Sequence, residues 1–414
     1  MILRLKQWFL TTCCLTLLAS TVLAGKPGSG GGTPPPPVLP NVRYHVDLIP
    51  AAVASVNQIS NAGVVVGSLA NPSSGSALLS QAFLYDQDIT GRVYDLNNDS
   101  DLQPLQDQLT QLFGPEWFFQ TAIGINDRGM VVGRLRNVIS GVEKGFALDT
   151  FGLSDPALTP WTLLPLPEIA SNRAGGTRIN STGDVLGVYQ RADNTWDCFL
   201  CNPWLDAPST PALVFGLSLR FGTGRTSHMA TLNNWGHVAG SLSDGTPFFD
   251  SNPSPGLPSL QTFRNLSCDA VSGLNDSGVF CAWGQEKIGT KSSKWGPRGA
   301  FRYDVIGGQS DRILDGGSPA AINASSDVVL SDFYGKAILA YKGSTNDAKQ
   351  LVKVTDLIPD NDPAKSLLVN NFFEVRDLND RDSTGFGQLL GHVQSTQPDG
   401  SIQVFGVILR PFTP

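Results

Sequence analysis

INDRGMVVG, residues 125–133, is the clearest of seven variants of one phrase that recurs through this chain of 414 residues. The phrase is an apolar residue, then Asn, two small or polar residues, Gly, and a hydrophobic run that often ends in Gly. It returns as ISNAGVVVG (59–67), INSTGDVLG (179–187) and LNNWGHVAG (232–240). LNDSGVFCA (274–282) loses the final Gly, and INASSDVVL (322–330) has Ser326 where the turn Gly belongs. LNDRDSTGFGQLLG (378–391) carries an insertion. Asn or Ser at the first corner can fold its side chain onto the following backbone, and Gly at the fourth tolerates positive φ. Such a stretch is a type I turn with a bulge, a common tight link in a β-hairpin. The nearly continuous aliphatic runs beside it predict strands covered on both faces.

Two further phrases recur around each hairpin. An aromatic strand follows it, as in AFLYD (82–86), GFALD (145–149), CFLCN (198–202), PFFD (247–250) and AFRYD (300–304), with AILAY (337–341) and FGVIL (405–409) as weaker copies. Next comes a strand often ending in Asp-Leu: RVYDL (92–96), WTLLPL (161–166), ALVFGL (212–217), TFRNL (262–266), DRILD (311–315) and VTDLI (354–358). Four strands per unit, at a spacing of about 40–65 residues, match propeller blades. Six units are complete, while the seventh stops after FGVIL; its missing strand stands at the other end of the chain as YHVDLIP (44–50). The sequence therefore predicts an all-β fold, a seven-bladed β-propeller closed by the N-terminal strand completing the last blade, which hides sheet edges. A solenoid or open sandwich is the rival architecture. Leu102, Leu105, Leu109, Leu112 and Phe113 fall at helical spacing before Gly114-Pro115, predicting one helix capped by Asp101.

The repeats resemble those of the HAF family, named for a probable extracellular repeat. Its pattern is an apolar-Asn-Asp-x-Gly-x-Val-x-Gly stretch followed by an Ala-Phe-Leu-aromatic strand. Residues 125–133 with 145–149, and 59–67 with 82–86, carry the resemblance best; it covers nearly all of 44–414, with drift in the last three copies. The resemblance implies export and repetition, and brings no catalytic residues.

Residues 1–24 read as a secretory signal: Arg4 and Lys6, an apolar run from Trp8, and Val22-Leu23-Ala24 before the cut. The rival reading is an uncleaved anchor, since the run approaches the length of a membrane span. Residues 25–43 form a Gly/Pro-rich linker leading to a body from 44 to 414, secreted or periplasmic, with no membrane span in the mature chain. A net charge of −7 without a basic cluster excludes nucleic acid as partner. Of the four cysteines in the body, Cys268 and Cys281 flank a hairpin and are the expected disulfide. Cys198 and Cys201 have the spacing of half a zinc site but no second pair to match.

Asp95, Asn97, Asp99 and Asp101 stand at alternate positions like the start of a calcium loop, but Ser100 replaces its Gly and Gln106 its closing Glu. The competing reading is a polar loop between blades. His45, His228, His237 and His392 form no metal or protease motif, and there is no G-x-S-x-G elbow. Trp196, Trp204, Trp235 and Trp295 fall near loops and are candidate stacking platforms, Trp235 on a turn where it should be exposed, although packing against a neighbouring blade is the better reading for each singly. The resulting expectation is an exported, non-enzymatic module that binds a glycan or a protein, with no cofactor unless calcium occupies the loop at Asp95. Two alternatives stand beside it: a polysaccharide hydrolase or lyase on the same scaffold, and a structural envelope or matrix protein.

Overall fold

The repeated phrase closes a hairpin in every unit. Its second residue donates its N–H to the carbonyl of the residue four further on at 2.9–3.1 Å, from Ser60 to Val64 in the first unit through Asn323 to Asp327 in the sixth. In the seventh the insertion moves the acceptor to Gln388. The fourth residue of the turn has φ of 77–93° at Gly63, Gly129, Gly183, Gly236 and Gly278, a region that L side chains rarely enter. Ser326 adopts it too, at φ 65°, and its hydroxyl and carbonyl accept from Asn275 and Arg302. Those bonds offset the strain. A computed structural model describes residues 42–414 except 71–79, 87–90, 157, 167–172, 205–214, 217–226, 252–259, 288–293, 333, 342–350 and 381–384. The stretch read as a signal, and the stretch read as a linker except Val42 and Arg43, lie outside the described residues.

The Gly that ends the phrase has a different cause. Gly67, Gly133, Gly187 and Gly240 stand directly across from Phe83, Phe146, Phe199 and Phe248 of the aromatic strand. A Cβ on Gly133 would lie 2.1 Å from the Thr121 carbonyl and 2.7 Å from the Phe146 ring. The ring lies over the glycine, so the two phrases of the repeat are halves of one contact. The sixth unit lost both partners together: Leu330 faces Ile338.

Strands pair antiparallel in chain order within each unit, giving five four-stranded sheets and one of seven strands among the described residues. The larger sheet arises because Arg43–Ile59 is a single strand with two partners. Its first part pairs with Ile402–Phe412, Arg43 opposite Phe412 through Leu48 opposite Val407. Its second part, Val53 to Ile59, pairs with Val64–Leu69 of the first hairpin. The strand expected at 44–50 is thus continuous with the inner strand of unit one.

Apolar side chains collect between successive sheets. Val64, Val66 and Leu84 of unit one pack with Phe119, Val131 and Phe146 of unit two. The opposite face of unit one, through Val53, Val65 and Phe83, packs on Leu390 and Ile408. Both faces of each central strand are therefore covered, which explains the unbroken aliphatic runs.

Several expectations need correction. TFRNL is not the outer strand of its unit: that strand is Leu260–Thr262, and Leu266 already begins the next. VTDLI forms a 3-10 turn, Val354–Leu357, after a short strand Leu351–Lys353. Gln103–Phe113 is the expected helix, but the cap is Asp99, whose carboxylate accepts from Asp101 N–H at the 3-10 turn that precedes it. Cys268 and Cys281 carry no disulfide. Cys268 stands opposite Gly284 and Cys281 opposite Gly273, so they are several steps apart along one strand pair and belong to different core clusters. Burial pushes the Cys268 thiol well above its usual range, and the Cys281 thiol up to about 12.

Candidate functional site: the mouth lined by the repeat turns

All seven turns converge on one polar cavity of about 160 Å³. Two sets of hydrogen bonds tie them together. In the first, the turn Asn accepts backbone N–H groups of its own turn with Oδ1 and reaches the next unit with Nδ2. Asn126 donates to the Asn180 carbonyl at 2.7 Å, Asn233 to Asn275 at 3.1 Å, Asn275 to Asn323 at 3.1 Å, and Asn379 to Ser60 at 3.2 Å. Asn180 and Asn323 turn their amides back to Asp184 and Asp327 instead. These are the two units whose fourth residue after the Asn is Asp.

The second set lies at the rim, one residue further on. There a side chain accepts from the backbone N–H of the preceding unit: Asp127 from Asn61 at 2.7 Å, Asn234 from Ser181 at 2.9 Å, Asp276 from Asn234 at 2.8 Å, and Asp380 from Ala324 at 2.7 Å. Asn61 accepts from Asp380 at 2.8 Å, linking residues 319 positions apart. Among the described residues the links onto Ser181 and Ala324 are missing, since one side chain is short and the other has no acceptor. The carboxylates of this rim are therefore committed to structure.

The floor is set one step deeper, two residues before each turn Asn. Gly124, Gly273 and Ala321 leave space there, while Gln58, Arg178, Thr231 and Asp377 supply polar groups. Gln58 Oε1 accepts from Ile125 N–H at 3.0 Å, and Asp377 Oδ2 from Ile59 N–H at 2.9 Å. Burial raises the Asp377 carboxyl to about 6, against the lowering effect of Arg178. Arg178 donates to the Thr177 carbonyl at 3.1 Å.

Sequence reading did not single out Arg178, Asp377 or Gln58. The signal was available: they occupy one position of the repeat, and the small or apolar residues elsewhere at that position mark them as exceptions.

The residues singled out earlier lie elsewhere. Arg92 reaches the loop read as a calcium site, bonding Asp99 at 2.6 Å and Asp101 at 2.5 Å. Asp95 accepts from Asn97 N–H and from the Asn98 amide, and Asn97 bridges to both backbone groups of Phe119. Two of the three carboxylates, Asp99 and Asp101, thus meet on the guanidinium, and Asp95 is held apart by Asn97 and Asn98. Among the described residues no three His, Cys, Asp or Glu side chains are grouped where a metal could be held.

His45 stacks on Phe412, His237 packs edge-on to Phe249, and His392 is buried near Glu374. The His228 side chain lies outside the described residues. Trp235 is 72% exposed on the turn of unit four. Trp295 lines a second cavity of about 280 Å³ with Asp244, Arg264 and Ser267, beneath the Lys287 ammonium at 5.1 Å. Only neighbouring units build that cleft, whereas every unit contributes to the mouth.

No family model and no curated protein matches the chain, so the HAF resemblance stays at the level of the quoted residues. Among solved structures, a mitotic checkpoint complex chain aligns at 11% identity over 94% of this chain and 99% of its own, TM-score 0.43. YCF48 bound to D1 peptide aligns at 10% over 92% and 99%, TM-score 0.48. The GH74 xyloglucanase from Xanthomonas campestris aligns at 9% over 87% and 55%, TM-score 0.43. These neighbours are β-propeller proteins, and the likeness concerns fold alone. Among the described residues no helix is long and apolar enough to cross a membrane.

Proposed function

We propose that residues 44–414 form a closed seven-bladed propeller, exported, that binds a glycan at its turn-lined mouth without catalysing a reaction. The observation that carries this reading is the convergence of all seven turns on one polar cavity, with the rim carboxylates already held by backbone N–H groups. Planar amides and carboxylates held rigid at a rim suit recognition of hydroxyl groups, and Trp235 stands exposed on one of the contributing turns. Support for closure comes from the strand Arg43–Ile59, which joins the last unit to the first, and from the Asn61–Asp380 and Asn379–Ser60 bonds.

The test is binding of the purified chain to a broad glycan and polysaccharide array, with and without calcium. Saturable binding to one glycan class, lost when the rim is altered by Asp276→Ala, is the expected result. A blank array under both conditions overturns the glycan reading in favour of a protein partner or a structural role.

One observation favours a second reading. Asp377, with its carboxyl near 6 and Asp380 close enough to raise it, has the character of a general acid. Release of reducing sugar from a polysaccharide, abolished in Asp377→Asn, is the result that would establish a hydrolase.

A further inference from the structure

The inner strands present their unpaired backbone edge to the mouth. In every unit the turn Asn or Ser is hydrogen-bonded across the hairpin through its own N–H. Antiparallel strands alternate bonded and non-bonded positions, so the residue just before it turns its N–H and carbonyl away from its neighbour, toward the cavity. Two of these positions confirm the geometry, since Ile59 and Ile125 donate inward to Asp377 and Gln58.

In unit seven, where Ala321 offers no acceptor, the Leu378 N–H bonds the Asp377 carboxylate beside it. Units three to six differ. The side chain one unit earlier is Gly124, Arg178, Thr231 or Gly273, and none supplies a carboxylate or amide oxygen to Ile179, Leu232, Leu274 or Ile322. This arc therefore offers four inward N–H groups beside the Arg178 guanidinium and the Thr231 and Ser272 hydroxyls. The matching carbonyls face inward as well, so acceptors alternate with donors. Across the floor stand Asp377 and Gln58.

We propose that this floor binds the carboxylate of a sugar acid, the terminal uronate of an acidic glycan. The inference rests on the glycan-binding reading and names its ligand class. Arg178 and the N–H arc take the carboxylate, while the inward carbonyls and Asp377 accept the ring hydroxyls. A cavity of about 150 Å³ holds one six-membered ring, and the mouth encloses about 160 Å³.

Asp127, Asp276 and Asp380 at the rim repel an approaching anion. They are solvent-facing and screened by salt, whereas the guanidinium acts at contact. Affinity for a monovalent uronate accordingly holds or rises from low to physiological salt, the reverse of binding to a basic surface patch.

Calorimetric titration of the full chain with methyl glucuronoside, methyl glucoside and N-acetylglycine tests this. The glucuronoside should bind, with the neutral glucoside weaker by about 10-fold to 100-fold. Arg178→Gln should lose a similar factor for the glucuronoside alone, and Arg178→Lys should recover part of it. Equal binding of glucoside and glucuronoside, or an Arg178→Gln variant that binds the glucuronoside as the parent does, overturns the carboxylate site. Either result leaves the broader glycan reading standing. N-acetylglycine binding as tightly as the glucuronoside would replace the sugar acid by a peptide C-terminus. If Arg178→Gln does not fold, Thr231→Val reads the same arc, and an unchanged glucuronoside affinity in that variant overturns the proposal equally.

Discussion

Replacing Asn275 by Ala should destabilise the protein about twice as much as replacing Asn323, although both are buried turn asparagines of the same repeat. Asn275 makes four hydrogen bonds. Oδ1 accepts from Ser277 and Val279 N–H at 3.1 and 3.0 Å, and Nδ2 donates to the Asn323 carbonyl at 3.1 Å and the Ser326 hydroxyl at 2.9 Å. Asn323 makes two within its own turn, accepting from Asp327 N–H at 2.9 Å and donating to its carboxylate at 3.2 Å. At about 1 kcal/mol per buried bond, Asn323→Ala costs about 2 kcal/mol and Asn275→Ala about 4. The difference of about 2 kcal/mol is the link between units. Asn275→Asp sharpens the point: it keeps the acceptor oxygen but sets a carboxylate against the Asn323 carbonyl, so it should be at least as damaging as Ala. Urea unfolding with matched m-values gives these differences directly. If Asn275→Ala costs no more than Asn323→Ala, the bonds between units contribute no stability, and the account of the turn Asn as an inter-unit tie is wrong.

Opposite pH slopes should appear when either of two titratable groups is removed. Asp377 is raised from 3.8 to about 6, so it holds its proton more tightly folded than unfolded, and stability falls by about 3 kcal/mol as pH rises through that window. His392 is lowered from 6.5 to about 4 by burial and by Arg376, so stability rises by about 3 kcal/mol as pH climbs from 4 to 6.5. The two nearly cancel in the parent. Melting scans against pH should therefore show Asp377→Asn gaining stability steeply toward neutrality and His392→Gln losing it; parallel profiles would refute the assignment. Deleting residues 1–50 removes the strand paired with Ile402–Phe412 and should abolish cooperative melting, whereas deleting 25–41 should leave the transition unchanged. Identical behaviour of the two deletions would sink the closure argument.

The repeat was legible because its residues answer local demands. Asn at the first corner satisfies its own turn, Gly at the fourth takes positive φ, and the Gly–Phe pairing lies within one hairpin and its neighbouring strand. The missing strand could be read too, since YHVDLIP repeats the wording of VKVTDLIP at the far end of the chain. Short outer strands read poorly: TFRNL and VTDLI carry the right residues, but the chain leaves the sheet early in both. Alternating acidic residues at 95–101 suggested a metal loop; their pattern says nothing of Arg92, a few residues upstream, which pairs with Asp99 and Asp101.

What the sequence determined by itself is the architecture's unit: an all-β repeat with its turns, its four-strand order and its displaced N-terminal strand. These depend on side-chain chemistry within a few residues or on a pattern repeated often enough to stand out. Tertiary structure decided the rest. Which thiols approach one another, which asparagines reach across and which turn back depend on register between strands. Arg178 and Asp377 became a site because folding brings the same repeat position of each unit around one cavity, where the polar exceptions meet. Nearly 200 residues separate those two in the chain, and only the wrapping of strand upon strand puts their charges within reach of one another.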